Sequence, residues 1–278
     1  MPITPAQRKY LKNKHKGGKN NAKGNLYEEH FVVYQLALLI DKYRSNLSSV
    51  YFSTQLLDTF VDDLLIVLED NHKTYHQLKD VTNIAWTSNN LKYDFERQRE
   101  LSLENKEQFT LKIVYSNIDS SLSAIPDTIS DCTIAEHFPA SPSLSSLYFG
   151  FEPFRKAVKN IAIPHYSTDN DLIGIYGALI GAWHMVNTLS YVSLKEILEK
   201  VYHIGNGLIN LNLYPTITIS EDCSALFRRI GVEYHLSGSS LYWSYRSFSG
   251  YLSWNKEMEE KLMAISPESF KDIIDLLN

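Results

Sequence analysis

The sequence predicts a mixed α/β protein, with a small α/β core in its first 120 or so residues and a mainly helical α+β region after residue 150. Between residues 26 and 117, helical and strand-like hydrophobic patterns follow one another, which is typical of a sheet flanked by helices. After residue 150 the helical patterns come first and short β segments follow. The chain is long enough for two cores.

The first predicted element is a helix over 26–44, where apolar and aromatic residues recur at near-helical spacing. Segments 50–53 and 56–60 fit a strand or a helix equally well. Residues 63–68 form a short apolar run bounded by acids, which predicts a buried strand. Residues 74–81 alternate between polar and apolar side chains, which predicts a second strand paired with the first.

A helix over about 91–103 and an alternating strand over 109–115 complete the predicted core. From about 118 to 150 the chain is rich in Ser, Pro and Asp, which predicts a domain boundary or a long connection. The predicted division has three parts, a basic arm at 1–24, an α/β domain at 25–120 and a C-terminal domain at 150–278.

The C-terminal domain combines helical patterns with short β segments. The predicted helices cover 154–161, 172–189, 194–204 and, at the end of the chain, about 268–277. The predicted β segments cover 216–220, 231–236 and 240–245. Three tryptophans, Trp183, Trp243 and Trp254, indicate either a packed core or a face that binds a partner.

Composition excludes several classes of protein. With 44% hydrophobic and 21% charged residues, the chain can bury a core and is not disordered throughout. No apolar run reaches the roughly 18 residues needed to cross a bilayer, and no apolar segment follows the basic N-terminus as in a secretory signal. Cys132 and Cys223 stand far apart, which argues against disulfides and cysteine-based zinc sites. We therefore expect a cytoplasmic protein with no membrane association.

The charge is unevenly distributed along the chain. The net charge is −5, yet residues 1–27 contain no acidic residue at all. The lysines of the arm include Lys14, Lys16, Lys19 and Lys23. Such an arm can lie along the phosphate backbone of DNA, and a solvated, disordered tail is the alternative.

One set of residues has the chemistry of phosphodiester hydrolysis, which needs oxygen ligands for Mg²⁺ and a cation near the attacking water. Asp63 stands at the head of one predicted strand, and Gln77 and Lys79 share a face of the next. A hairpin can bring the three together, and Glu28 on the preceding helix can complete the set. Taken singly, each of these residues is no more informative than an ordinary surface charge. Their order and spacing together indicate the site.

The motifs that contain these residues resemble those of a known family. They are Gly-Gly-Lys at 17–19, Gly-Asn-Leu-Tyr-Glu at 24–28, Asp-Asp-Leu-Leu-Ile at 62–66, His-Gln-Leu-Lys at 76–79, Trp86 and the segment 111–117. As a set they are similar to the PD-(D/E)xK nucleases, in the Mrr-like branch where Gln replaces an acid. More narrowly, they resemble the double-strand DNA endonuclease domain of bacterial antiphage effectors, which is fused to the SAVED sensor in CBASS systems and is a nuclease subunit in Lamassu systems.

The resemblance, which covers about the first 120 residues, implies a restriction-endonuclease-like core and a fixed set of roles. Asp63 and Gln77 would bind Mg²⁺ or Mn²⁺, Lys79 would be the catalytic lysine, and Glu28 would be a direct or outer acid. Asp62 is the rival to Asp63 as metal ligand. The pattern departs from the family at two positions, since Glu28 stands where Gln is usual and Leu26 where Phe is common.

The resemblance also implies partners. The substrate would be double-stranded DNA, and the protein would be the effector subunit of a defence system. Because no sensor domain fits in the remaining residues, activation would come from another subunit, such as an SMC-like or other ATPase. Many nucleases of this type act as dimers, which leaves a homo-oligomer open.

Two other hypotheses differ from this interpretation, one in the activity and one in the fold. In the first, the protein has the same fold but is a catalytically inactive DNA-binding or scaffolding subunit of a defence complex. In the second, the predicted strands are wrong and the chain is an unrelated α-helical adaptor.

Overall fold

The computed structural model describes residues 4–18, 22–81, 84–118, 121–162, 168–205, 209, 218–237 and 240–277. In these residues a six-stranded mixed sheet and a three-stranded antiparallel sheet are combined with helices. The predicted mixed α/β class is thereby confirmed, and the α-helical adaptor is excluded. Over the same ranges, no helix has the length and apolar character that crossing a membrane requires.

Two helices precede the large sheet, α1 at Pro5–Gly18 and α2 at Ala22–Lys42. The described part of the predicted basic arm is therefore helical. Leu11 on α1 is buried, and the hydroxyl of Tyr10 donates to Asp94 Oδ1 at 2.9 Å, which holds α1 against a later part of the chain. Along α2 the side chains of Phe31, Leu36 and Ile40 are fully buried.

The centre of the large sheet contains β1 at Tyr51–Ser53, β2 at Leu64–Val67 and β3 at Lys73–Lys79, followed by α3 at Leu91–Glu104 and β4 at Phe109–Tyr115. The order α2, β2, β3, α3 and β4 confirms the predicted order of helix, strand, strand, helix and strand. The segment 50–53, which fits a strand or a helix by its sequence, contains β1. The strands β1, β2 and β3 pair antiparallel, whereas β4 lies parallel to β3. Parallel neighbours need a crossover connection, and α3 provides it. Residues 56–60 contain neither a helix nor a strand.

The sheet extends beyond the segment that the sequence assigns to the first domain. Strand β5 at Thr133–His137 pairs parallel with β4, and β6 at Val192–Ser193 pairs antiparallel with β1. The strand order is β5-β4-β3-β2-β1-β6. The range 118–150, predicted as a boundary or connection, therefore contributes a strand to the sheet itself.

Four helices follow β5 in the chain and flank the short strand β6. They are α4 at Leu144–Gly150, α5 at Glu152–Ile161, α6 at Asp169–His184 and α7 at Leu194–Gly205. The predictions at 154–161, 172–189 and 194–204 correspond to α5, α6 and α7, while α4 was not predicted.

The end of the chain forms a small α+β unit around the second sheet. Its elements are α8 at Glu221–Ile230, β7 at Glu233–Ser237, β8 at Ser240–Tyr245, β9 at Phe248–Ser253, α9 at Lys256–Ile265 and α10 at Ile274–Leu277. The elements α8, β9 and α9 were not predicted. The predicted closing helix over 268–277 is reduced to a 3₁₀ turn and α10. Of the predicted strand at 216–220, residues 216 and 217 lie outside the described residues and the rest is not a strand.

The two faces of the large sheet bury two different cores, because successive side chains of a strand point to opposite faces. Leu64, Ile66 and Leu78 face a core shared with α2 and the helices α5, α6 and α7. Leu65 and Tyr75 face a second core on the α3 side. A third core belongs to the α8–α10 unit.

The three tryptophans of the C-terminal half are all buried. Trp183 belongs to the first core, and Trp243 and Trp254 belong to the third. Of the two alternatives that the sequence leaves open for these tryptophans, a packed core and a partner-binding face, core packing therefore accounts for them.

Phe138, directly after β5, links the unpredicted strand to the first core. It is fully buried and its ring lies against those of Tyr27, Phe31, Tyr34 and Phe151. We expect Phe138→Ala to lower the free energy of unfolding by about 3–5 kcal/mol, measured by denaturant titration. Phe149→Ala, at a side chain that is 57% exposed on α4, is the control and should cost much less. Equal losses for the two variants would contradict the place of this segment in the core.

Candidate functional site

The pairing of β2 with β3 places Asp63 beside Gln77. In this antiparallel pair Leu64 lies opposite His76. Asp63, the residue before β2, therefore lies opposite Gln77, the residue after His76. The side-chain amide of Gln77 donates to Asp63 Oδ2, and the backbone N–H of Leu78 donates to the same oxygen at 2.7 Å. Two hydrogen bonds thus fix the Asp63 carboxylate at the end of the hairpin.

Lys79 adds a cation to this pair. Its Nζ lies 3.7 Å from Asp63 Oδ2, and it shares a strand face with Gln77 because the two residues are two positions apart. The Lys79 side chain is 30% exposed and that of Asp63 is 17% exposed, while Gln77 is buried. A ligand can therefore reach the ammonium and the carboxylate, with the amide behind them.

Glu28 approaches the same place from α2. The pKa of its carboxyl is raised to about 8, first by burial and then by the negative charge of Asp63, while the positive charge of Lys79 lowers it. The charges of Asp62 and Glu29 also raise it. These charge effects put Glu28 in the neighbourhood of Asp63 and Lys79, while direct contacts join Asp63 to Gln77 and Lys79.

Asp63 makes the described contacts with the other site residues. The contacts described above from Gln77, Leu78 and Lys79 all reach Asp63. Asp62 acts on Glu28 through its charge, and its backbone carbonyl accepts from the N–H of Gln55 at 2.7 Å. The geometry favours Asp63 as the central acid of the site.

The donors suit a hard cation that keeps part of its hydration shell. Within the described ranges, no three His, Cys, Asp or Glu side chains are arranged to hold a metal ion by themselves. Carboxylate and amide oxygens from Asp63 and Gln77, with Glu28 as a direct or outer acid, would give a partial shell, which is how proteins bind Mg²⁺ together with waters and substrate phosphates. The surplus of carboxylates over the single lysine also favours a cation. The residues therefore fit Mg²⁺ or Mn²⁺.

The predicted DNA-binding lysines have no described side chains. Lys19 lies outside the described residues, and the side chains of Lys14, Lys16 and Lys23 also lie outside them. Their contact with DNA stays a prediction.

Two acidic residues near the site were missed by the sequence analysis. Glu29 follows Glu28 and lies 3.5 Å from His184 Nε2 on α6. Asp80 follows Lys79 and accepts a hydrogen bond from the Ser116 hydroxyl at 2.8 Å. Each directly follows a residue already assigned to the site, and this position next to a site residue is a signal that the sequence contains.

Comparison of the chain with protein-family models, with curated proteins and with solved structures finds no match in any of the three.

The raised pKa of Glu28 predicts a pH-dependent stability. Its ordinary carboxyl value is 4.5 and its folded value is about 8, so between these values the folded state holds a proton that the unfolded state has lost. Stability contributed by the protonated carboxyl is complete below pH 4.5 and is lost as the pH rises through 8. Because Gln cannot ionise, we expect the Tm of Glu28→Gln to exceed that of the wild type by an amount that grows from pH 5 to pH 9.

Thermal unfolding in EDTA across that range measures this difference. Glu260→Gln, at an exposed glutamate on α9, controls for the general effect of removing a carboxylate. A difference in Tm that stays constant with pH would contradict the burial of Glu28 among acids.

Proposed function

We propose that this protein is a metal-dependent DNA endonuclease with its active site at Glu28, Asp63, Gln77 and Lys79. The observation that carries the proposal is their convergence at one end of the β2–β3 hairpin, with Asp63 in contact with both Gln77 and Lys79. The four residues come from three separate segments of the chain, so their meeting is not a trivial result of sequence proximity.

Asp63 and Gln77 would hold the metal. Their side chains are already fixed against each other, and Leu78 N–H orients the carboxylate further. A bound Mg²⁺ supplies Lewis-acid stabilisation of phosphate charge and a water of lowered pKa. The rigid attachment of both side chains to adjacent strands favours such precise placement.

Lys79 would act on the reacting phosphate directly. Its ammonium is partly exposed and is held 3.7 Å from Asp63 Oδ2. In that position it can orient the attacking water and stabilise negative charge that develops on the phosphate oxygens.

Glu28 would move a proton. With a pKa raised to about 8 by burial and by Asp63, its carboxyl can release or take up a proton near neutral pH, as a general acid or base must. This property also separates Glu28 from an ordinary surface carboxylate.

DNA as the substrate is supported by the N-terminal segment. Residues 1–27 contain basic but no acidic residues, and α1, which lies within this range, is anchored through Tyr10 to Asp94 of α3. A helix attached in this way carries positive charge next to the catalytic domain, where it favours a phosphate backbone.

The role of the enzyme in the cell follows from the sequence resemblance alone. As an antiphage effector, it would act in the cytoplasm on double-stranded DNA after activation by a partner subunit such as an SMC-like or other ATPase. A homo-oligomer would allow two active sites to cut two strands.

Lys79→Ala is expected to slow Mg²⁺-dependent cleavage of plasmid DNA by about 100-fold or more, because it removes the cation that stabilises the reacting phosphate. Gel analysis of plasmid incubated with Mg²⁺ or with EDTA measures the rate. Lys73→Ala is the matched control, since Lys73 lies on the same face of β3 and forms its own ion pair with Glu107 at 2.6 Å, but at the opposite end of the strand.

Cleavage that needs Mg²⁺ and Lys79 but not Lys73 would support the proposal. Cleavage that persists in Lys79→Ala or in EDTA would contradict it. DNA binding by all variants without cleavage by any would favour the inactive DNA-binding or scaffolding subunit.

A further inference from the structure

A cavity of about 500 Å³ is lined in part by residues that adjoin the candidate site in the chain. Its walls are formed by Leu26, Tyr27, Asp80, Ala140, Ser141 and Pro142. Two of these residues adjoin site residues in the chain, since Tyr27 precedes Glu28 and Asp80 follows Lys79. The volume falls within the range of about 300–1,000 Å³ that is typical of small-molecule sites.

The described walls of the cavity are mainly apolar and include the Asp80 carboxylate. Leu26, the Tyr27 ring, Ala140 and Pro142 supply the apolar surface. The Asp80 carboxylate accepts a hydrogen bond from the Ser116 hydroxyl at 2.8 Å, and a carboxylate can accept about four hydrogen bonds in all. The cavity therefore suits a flat, apolar ring that carries N–H donors at its edge.

We propose that this cavity binds an unstacked nucleobase, with the N–H edge of the base directed to Asp80. The inference rests on the proposed function for its setting beside a reacting phosphate, but it adds a base-binding subsite that phosphodiester hydrolysis does not require. Enzymes that act on nucleic acids hold extruded bases in such pockets by apolar contact and hydrogen bonds to the base edge.

The Asp80 carboxylate gives the cavity an anionic edge. Burial raises the pKa of the Tyr27 phenol, and the negative charges of Asp80 and Glu136 raise it further. Asp80 therefore places a negative charge at the wall of the cavity, where it attracts N–H donors. Guanine presents two adjacent N–H groups on one edge, so it is the base that we expect to bind most tightly.

The base can come from the DNA substrate or from a free nucleotide, and two binding experiments separate these sources. Both use the full-length Lys79→Ala protein in EDTA, so that the readout does not depend on cleavage. Fluorescence anisotropy compares labelled oligonucleotides of a single base with an abasic oligonucleotide of the same length. Calorimetry measures the binding of dGMP, dAMP, dCMP and dTMP.

Ala140→Trp tests the cavity, because Ala140 is exposed and a large ring there fills the space without disturbing the core. Ser145→Trp, at an exposed position on α4, is the matched control. Asp80→Asn keeps an acceptor for Ser116 but loses the anionic edge, so it should reduce the preference for guanine.

We expect the guanine oligonucleotide to bind about tenfold more tightly than the abasic one, in line with the contribution of one base contact. Ala140→Trp should remove this difference and Ser145→Trp should keep it. Binding of dGMP that Ala140→Trp abolishes, without base dependence in the oligonucleotides, would assign the pocket to a free nucleotide. If Ala140→Trp alters neither kind of binding, the proposal is overturned, whatever the plasmid assay shows for catalysis.

Discussion

The antiparallel pairing of β2 with β3 is the constraint on which the candidate site depends. It sets Asp63 opposite Gln77 and lets one carboxylate oxygen accept from the Gln77 amide and from Leu78 N–H. A slip of one residue would turn every side chain of β2 to the other face of the sheet. Leu64 and Ile66 pack into one core and Leu65 into the other, so a slip would force both close-packed cores to repack.

The site is assembled at an energetic disadvantage that the surrounding fold offsets. Burial, together with the charges of Asp63, Asp62 and Glu29, raises the pKa of Glu28 and so disfavours its ionised form. The helix that carries it is fixed by fully buried side chains such as Phe31 and Leu36. Tight packing on one face of α2 thus maintains an unfavourable cluster of acids at its beginning, which is typical of functional sites.

The sequence predicted the elements with strong local patterns and missed those that depend on distant partners. The segments that became α2, β2, β3, α3 and β4 show clear periodicity, and the four site residues lie on or beside them. Strand β5 was not predicted, because it is an edge strand in which only Thr133 is buried and it therefore has no alternating apolar pattern. The helix α8 was missed although Ser220 caps its start and Gly231 ends it in a left-handed conformation. The contact of Tyr10 with Asp94 spans 84 residues, and no local pattern indicates it.

Binding of Mn²⁺ is the measurement that tests the central claim most directly, because it asks whether Asp63 organises a metal site. Electron paramagnetic resonance of the full-length protein titrated with Mn²⁺ should show a bound ion in the wild type and in Asp62→Asn. Asp63→Asn keeps an oxygen to accept from Leu78 N–H but loses the charge, and it should abolish binding. Unchanged binding in Asp63→Asn, or binding lost only in Asp62→Asn, would contradict the account.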